Sequence, residues 1–164
     1  MFEKIKLFRN QMEVLLPIGF CEMPDYIARK KYPSKYRPPV ILMDKDNLVN
    51  FTFNLTQTPL VESQFQKAAE GFEKTFRQTY PNAKFQELWH MKGKGEQLAI
   101  LPYESMAMDV DLFNIAFFTS VKNKVLCGSF NCILDMKGSW EETAIHCISS
   151  IQEIKEEKDE GSSY

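Results

Sequence analysis

The residues of this chain that could do chemistry are few and scattered. Two histidines, His90 and His146, and four cysteines, Cys21, Cys127, Cys132 and Cys147, are spread over 164 residues. A zinc site needs such donors to converge, usually as closely spaced pairs. Cys127 and Cys132 are an odd number of positions apart, so a regular strand turns them to opposite faces. His146 and Cys147 are neighbours about a quarter turn apart on a helix, with Cys147 on the apolar stripe. No metal site and no cofactor are expected. Asp44-Lys45-Asp46 and Asp109-Val110-Asp111 bring carboxylates close, but neither runs on into the glycine and distal glutamate of a calcium loop, and both fit turns. Gly93-Lys94-Gly95 lacks the rest of a phosphate loop and precedes a strand, so it reads as a hairpin. There is no Gly-x-Ser-x-Gly elbow, and two histidines leave few members for a histidine-dependent nucleophile. The chain reads as a non-enzyme.

Binding surfaces are better marked. Between Tyr26 and Arg37, the cations Arg29, Lys30, Lys31, Lys35 and Arg37 are interleaved with Tyr26, Tyr32 and Tyr36. Such a mixture can grip an acidic protein, or follow a phosphate backbone and stack bases. The plain alternative is a solvated loop whose tyrosines are tacked onto a sheet edge. A formal net charge of −2 gives no long-range field to attract nucleic acid or an anionic membrane, which favours a protein partner over nucleic acid. Met106 and Met108 share one face of an extended strand, near Trp89 and Met91 on the preceding strand. Flexible thioethers fill cores or line adaptable grooves, so this set is a second candidate surface, for an apolar peptide. A small-molecule binder or enzyme would instead require a concave pocket with convergent polar groups such as His90, Tyr103 or Asp109.

The elements that must position these groups follow from periodicity. Met12–Ile18 reads as a strand, and Pro24 opens a short helix through Lys31. The prolines Pro33, Pro38 and Pro39 keep the next stretch out of any sheet interior. Val40–Asp44 and Leu48–Leu55 form a hairpin around Lys45-Asp46-Asn47. In its second arm Val49, Phe51, Phe53 and Leu55 share one face and Asn50, Thr52 and Asn54 the other, so that strand is expected to bury one side only. Thr58 before Pro59 signals a helix over Pro59–Tyr80, with Phe65, Ala68, Ala69, Phe72 and Phe76 at helical spacing. Four strands follow, over Lys84–Lys92, Glu96–Met108, Leu112–Val121 and Lys124–Leu134, joined by turns too short for parallel crossovers. Leu112–Val121 is apolar on both faces and therefore central, covered on each side. Ser139-Trp140-Glu141-Glu142 reads as a capping box opening a closing helix over Trp140–Ile154.

With 44% hydrophobic residues, the chain can bury a sizeable core, and the default is one α+β domain over residues 1–154 with a charged, fraying tail over 155–164. Such a core needs no disulfide staples, so the thiols are expected reduced and mostly buried. Charged and polar residues interrupt every apolar stretch of Met1–Leu16, and the bulky Phe20 spoils a lipoprotein-like Ile18-Gly19-Phe20-Cys21. A cytoplasmic protein without a membrane span is expected.

The order of these elements, with Leu16-Pro17-Ile18-Gly19-Phe20 in the first strand, Asn50-Phe51-Thr52-Phe53 before a long helix, and a closing helix after a strand meander, resembles the PsbP/Mog superfamily. It is similar to DcrB-type bacterial proteins in particular, including small Firmicutes proteins of unassigned function, over residues 12–154. The resemblance implies an α/β/α sandwich with a mainly antiparallel sheet of about six strands. It also implies roles such as photosystem accessory subunit, Ran GTPase partner, lipoprotein, or chaperone for membrane-spanning segments of secreted toxins. None of these is catalytic, and no family binding residue carries across by position. The expected function is a non-catalytic protein-binding or chaperone-like module.

Overall fold

The computed structural model describes residues 1–94, 96–106 and 109–155. Met108 and nearly all of the 155–164 tail lie outside the described residues. Two antiparallel sheets organise the rest. Strands β1 (Phe2–Leu7) and β2 (Met12–Pro17) form a hairpin, and β11 (Gln152–Glu153) pairs with the other edge of β2. The larger sheet takes β3 (Cys21–Glu22), β4 (Val40–Met43), β5 (Val49–Pro59), β10 (Lys124–Ile133), β9 (Asp111–Val121), β8 (Gln97–Met106) and β6 (Lys84–Phe85) in that spatial order. Its eighth strand, β7 (Trp89–Lys92), also pairs with β8. Three α-helices complete the described residues: α1 (Asp25–Lys31), α2 (Phe65–Thr79) and α3 (Lys137–Ser149).

Turn chemistry holds the antiparallel order. Between β4 and β5, the Asp44 carboxylate accepts backbone N–H bonds from Leu48 (2.8 Å) and Val49 (3.1 Å), while Asn47 takes a left-handed φ of 54°. Between β9 and β10, Lys122 and Asn123 both have positive φ, 53° and 59°, the geometry whose twist matches a tight hairpin.

The central strand is apolar on both faces, as its sequence requires. Phe113, Ile115 and Phe117 of β9 join Phe51, Phe53, Phe130 and Ile100 in a core capped by β2 and α3. Phe118 and Ala116 point the other way, where Phe65, Ala69 and Phe72 of α2 cover them. Helices on opposite faces make the α/β/α sandwich, with eight strands in the main sheet instead of about six. Cys132 and Cys127 also lie on opposite faces, Cys132 in the first core and Cys127 against the second.

Several expectations need correction. The Lys84–Lys92 segment is two short strands, β6 and β7, and residues 2–7 form an additional strand. The signal at Thr58-Pro59 does not start a helix: Pro59 pairs with Lys124 at the end of β5, and α2 begins only at Phe65 after a 3-10 turn over Glu62–Gln64. Strand pairing overrides the local capping preference. Ser139 likewise is no cap, because the 3-10 turn Leu134–Met136 leads directly into a helix starting at Lys137, and this helix stops at Ser149. The largest correction concerns β5. Its polar side is also covered, with Asn50 and Thr52 both fully or almost fully buried.

All four cysteines are free thiols; Cys132 and Cys147 are buried in the α3-side core, and Cys21 is exposed. Burial pushes the Cys132 thiol up to about 11 and the Cys147 thiol up to about 12, the latter despite an opposing backbone hydrogen bond. Between the unfolded value of 9.0 and these folded values, the unfolded chain has lost a proton that the folded chain keeps. Stability is therefore intact at neutral pH and falls as pH rises above about 9, by roughly 1.4 kcal/mol per pH unit for each thiol. Urea unfolding in reductant from pH 7 to pH 10 should show a midpoint steady to about pH 9 and then dropping. A flat midpoint would contradict this burial.

Candidate functional site

The covered polar side of β5 leads to the site. Strand register aligns Asn50 with Asn131 on β10, Asn131 with Asn114 on β9, and Asn114 with Tyr103 on β8. Four adjacent strands thus place a polar row across the α2 face of the sheet. Hydrogen bonds hold its members in place. Asn50 Nδ2 donates to Asn131 Oδ1 (3.2 Å), Asn131 Nδ2 to the Tyr32 hydroxyl (3.0 Å), and Asn114 Nδ2 to Ser105 Oγ (2.9 Å). In the next row, the Thr52 and Ser129 hydroxyls bond at 2.9 Å. The buried Asn50 Oδ1 receives no hydrogen bond from a described residue.

Two elements stand over this row without closing it. On one side, α1 packs Ala28 against Ile41 and Met43, and the segment after it returns over the sheet through Tyr32. On the other, the C-terminal half of α2 brings Phe76 and Tyr80 against Phe85 and Tyr103. Between them lies a cleft of about 670 Å³. Its floor is Asn114, Ser129 and Asn131, its walls include Tyr32, Phe76, Tyr80 and Tyr103, and Lys31, Tyr36 and Arg37 stand at the side formed by segment 31–38. That volume is within the usual range for a ligand pocket.

The electrostatics are those of a donor-rich site. Burial raises the Tyr103 pKa, and the Tyr80 and Tyr32 hydroxyls raise it further. Burial also raises that of Tyr32, partly offset by its bond to Asn131. These phenols stay neutral and protonated at physiological pH. Partial burial lowers the Lys31 pKa, with Asp44 acting against the shift. Lys31 Nζ also donates to Asn47 O at 3.4 Å.

The basic aromatic segment divides between the two sides of this wall. Lys31, Tyr32, Tyr36 and Arg37 line the cleft, whereas Arg29, Lys30 and Lys35 do not and are exposed. Tyr36 is 83% exposed and has the Lys35 ammonium 5.2 Å from its ring centroid. The Trp89, Met91, Met106 and Met108 set is not assembled as one patch among the described residues. Trp89 pairs with Ile100 and Met91 with Leu98, but Met106 pairs with Asp111 at the far end of β8, about 20 Å from Ile100. Trp89 and Met106 are 50% and 83% exposed, while Met91 packs against the α3-side core. Of the three groups named for a polar pocket, Tyr103 is in the cleft; His90 and Asp109 are exposed elsewhere. Asn114, Ser129, Asn131, Phe76 and Tyr80 were not anticipated. The signal available for the asparagines is their rarity in strands: three of them interrupt otherwise apolar runs at positions facing the same way.

Among the described residues, no group of three or more His, Cys, Asp or Glu could hold a metal ion, and no helix is long and apolar enough to cross a membrane. No family model matches the chain, and no curated protein sequence matches it significantly. Solved structures do match. Cyanobacterial PsbP (CyanoP) from Synechocystis is 14% identical with a TM-score of 0.67, over 93% of this chain and 92% of that one. LpqN of Mycobacterium tuberculosis, involved in cell envelope biogenesis, is 10% identical with a TM-score of 0.58, over 94% and 91%. The Ran-binding protein Mog1p of Saccharomyces cerevisiae is 7% identical with a TM-score of 0.51, over 92% and 94%. These likenesses span nearly the whole of each chain, and the fold of this protein is the PsbP/Mog-like fold that its order of elements resembles.

Proposed function

We propose that the protein is a non-catalytic protein-binding module that docks an acidic segment of a partner on the outer side of Tyr26–Arg37. The observation that carries this reading is the set of cations on that segment. On that outer side Arg29, Lys30 and Lys35 make no ion pair among the described residues, whose ion pairs are Lys4–Glu13, Arg77–Glu73 and Lys137–Glu141. Arg29 and Lys30 in the last turn of α1 also complement its terminal carbonyls, but that role does not account for Lys35 beyond the helix. Exposed Tyr26 and Tyr36 add flat amphipathic area to the same segment. A Ran-binding protein shares the fold, which supports a sandwich used as a docking platform. The cleft behind the segment has no histidine, cysteine or carboxylate among its described lining residues, which supports a binding role over a catalytic one. The separated Trp89 and Met106 play no part in this reading.

The test is a titration with a fluorescent peptide of glutamates and one tyrosine at two ionic strengths. Binding should weaken several-fold between 50 and 200 mM salt and be lost in the triple variant Arg29→Glu, Lys30→Glu, Lys35→Glu. All three side chains are exposed, so the stability loss should be confined to reversing Arg29 and Lys30 beside the α1 terminal carbonyls, about 1–2 kcal/mol, and the variant should stay folded. Undiminished binding by the triple variant would end this proposal.

A further inference from the structure

The inner side of the same wall holds groups that protein docking leaves unused. Tyr103 is only 8% exposed and lines the cleft, yet its side chain enters no hydrogen bond among the described residues. Its ring lies 6.3 Å from that of Tyr80 and nearly parallel to it, at 20°. The Tyr32 hydroxyl accepts the Asn131 amide, which leaves its own proton to donate. Tyr103 and Tyr32 therefore have O–H donors to spare, and Tyr80 lines the same space. No carboxylate is among the described residues that line it. Lys31 already reaches Asn47 O, whereas the Arg37 guanidinium has no partner among the described residues, so Arg37 is the available cation.

We propose that this cleft binds a small organic oxyanion, a carboxylate or phosphate ester carried on a flat apolar body. A group that only accepts satisfies phenolic donors and a guanidinium together, and such charge-assisted bonds are stronger than neutral ones. A cation would be repelled by Arg37 and Lys31. A purely apolar occupant would seal the Tyr103 hydroxyl away from water without a partner, which is costly. The body of the ligand is specified by Phe76, Leu112, Pro33 and the tyrosine rings, which offer apolar and aromatic walls to stack against. This site goes beyond the docking surface: its ligand contacts are on the inward side of segment 31–38 and on the sheet.

The test is calorimetric titration of the full chain with phenyl phosphate, hydrocinnamate and the neutral isostere hydrocinnamamide. Both anions should bind in the millimolar range or tighter, and the amide at least about tenfold more weakly. Whichever anion binds tighter identifies the headgroup. Tyr103→Phe should weaken anion binding about tenfold while leaving the thermal midpoint unchanged or raised, because the hydroxyl has no structural partner to lose. Arg37→Gln should weaken phenyl phosphate more than hydrocinnamate, as the dianion gains more from the guanidinium. Equal binding of the amide, full binding by Tyr103→Phe, or no binding of either anion would overturn the proposal. These outcomes are separate from the acidic-peptide titration, which reads Arg29, Lys30 and Lys35.

Discussion

Replacing Gly128 by alanine is expected to cost about 3–4 kcal/mol or more, and replacing it by valine to abolish folding. Gly128 is in the middle of β10, in register with Phe53 on β5 and Phe117 on β9. Those two rings reach across the glycine to within 5.7 Å of each other. A Cβ there would lie 2.0 Å from the Thr52 carbonyl oxygen and 2.5 Å from Phe117 Cζ. The ring could shift at the expense of its packing, but the carbonyl belongs to the β5 backbone and moves only if the ladder opens. Relief of clash, not φ, is therefore why glycine is required: Gly128 does not have a positive φ. Gly71 in α2 and Gly138 in α3 are the internal controls, since a Cβ at either meets nothing within 4 Å. Gly71→Ala should stabilise by about 0.5–1 kcal/mol through helix propensity. Urea unfolding of Gly128→Ala and Gly71→Ala checks the opposite signs, and a Gly128→Ala protein as stable as the parent would refute the close approach.

Phe130→Ala is the second large loss, expected at about 3–5 kcal/mol. Phe130 is fully buried and its ring is 5.1 Å from Phe51, 6.3 Å from Phe113 and 6.0 Å from Trp140. It joins three neighbouring strands to α3, so truncation removes both the burial and three aromatic contacts with different partners. The hole left has rigid walls, because Phe51 is itself held by Phe20 and Phe53. Phe130→Leu should lose much less, since most of the volume remains. Equilibrium unfolding measures both; a small loss for alanine would mean that the α3 layer collapses onto the sheet.

The two binding proposals share one structural origin. Segment 31–38 cannot join the sheet, because its prolines remove ladder donors, so it crosses over the polar row and is pinned there by Tyr32. Lys35 on its outer side, with Arg29 and Lys30 on the preceding helix, stays in solvent, and its inner side turns Tyr32 and Arg37 toward the cleft.

Local patterning by itself determined most of the architecture. The alternation of Phe113, Ile115 and Phe117 with Leu112, Ala116 and Phe118 marks a strand covered on both faces, and the short turns at Asp44–Asn47 and Lys122–Asn123 dictate antiparallel neighbours. Helical spacing located α2 and α3, though their starts moved, because at Pro59 a partner strand outweighs a local cap. Periodicity reports which residues share a side of one strand, not what packs there. Hence Asn50 and Thr52 looked solvent-facing but are buried, and the polar floor of the cleft was not legible, although Tyr32, Tyr36, Arg37 and Tyr103 of its sides were named from their types. Asn50 bonds to Asn131 across 81 positions, and Tyr103, Asn114 and Asn131 meet only through the register of three separate strands. Register is set by the whole sheet and the helices that cover it, so the tertiary structure alone decided that scattered asparagines and tyrosines form one donor-lined cleft.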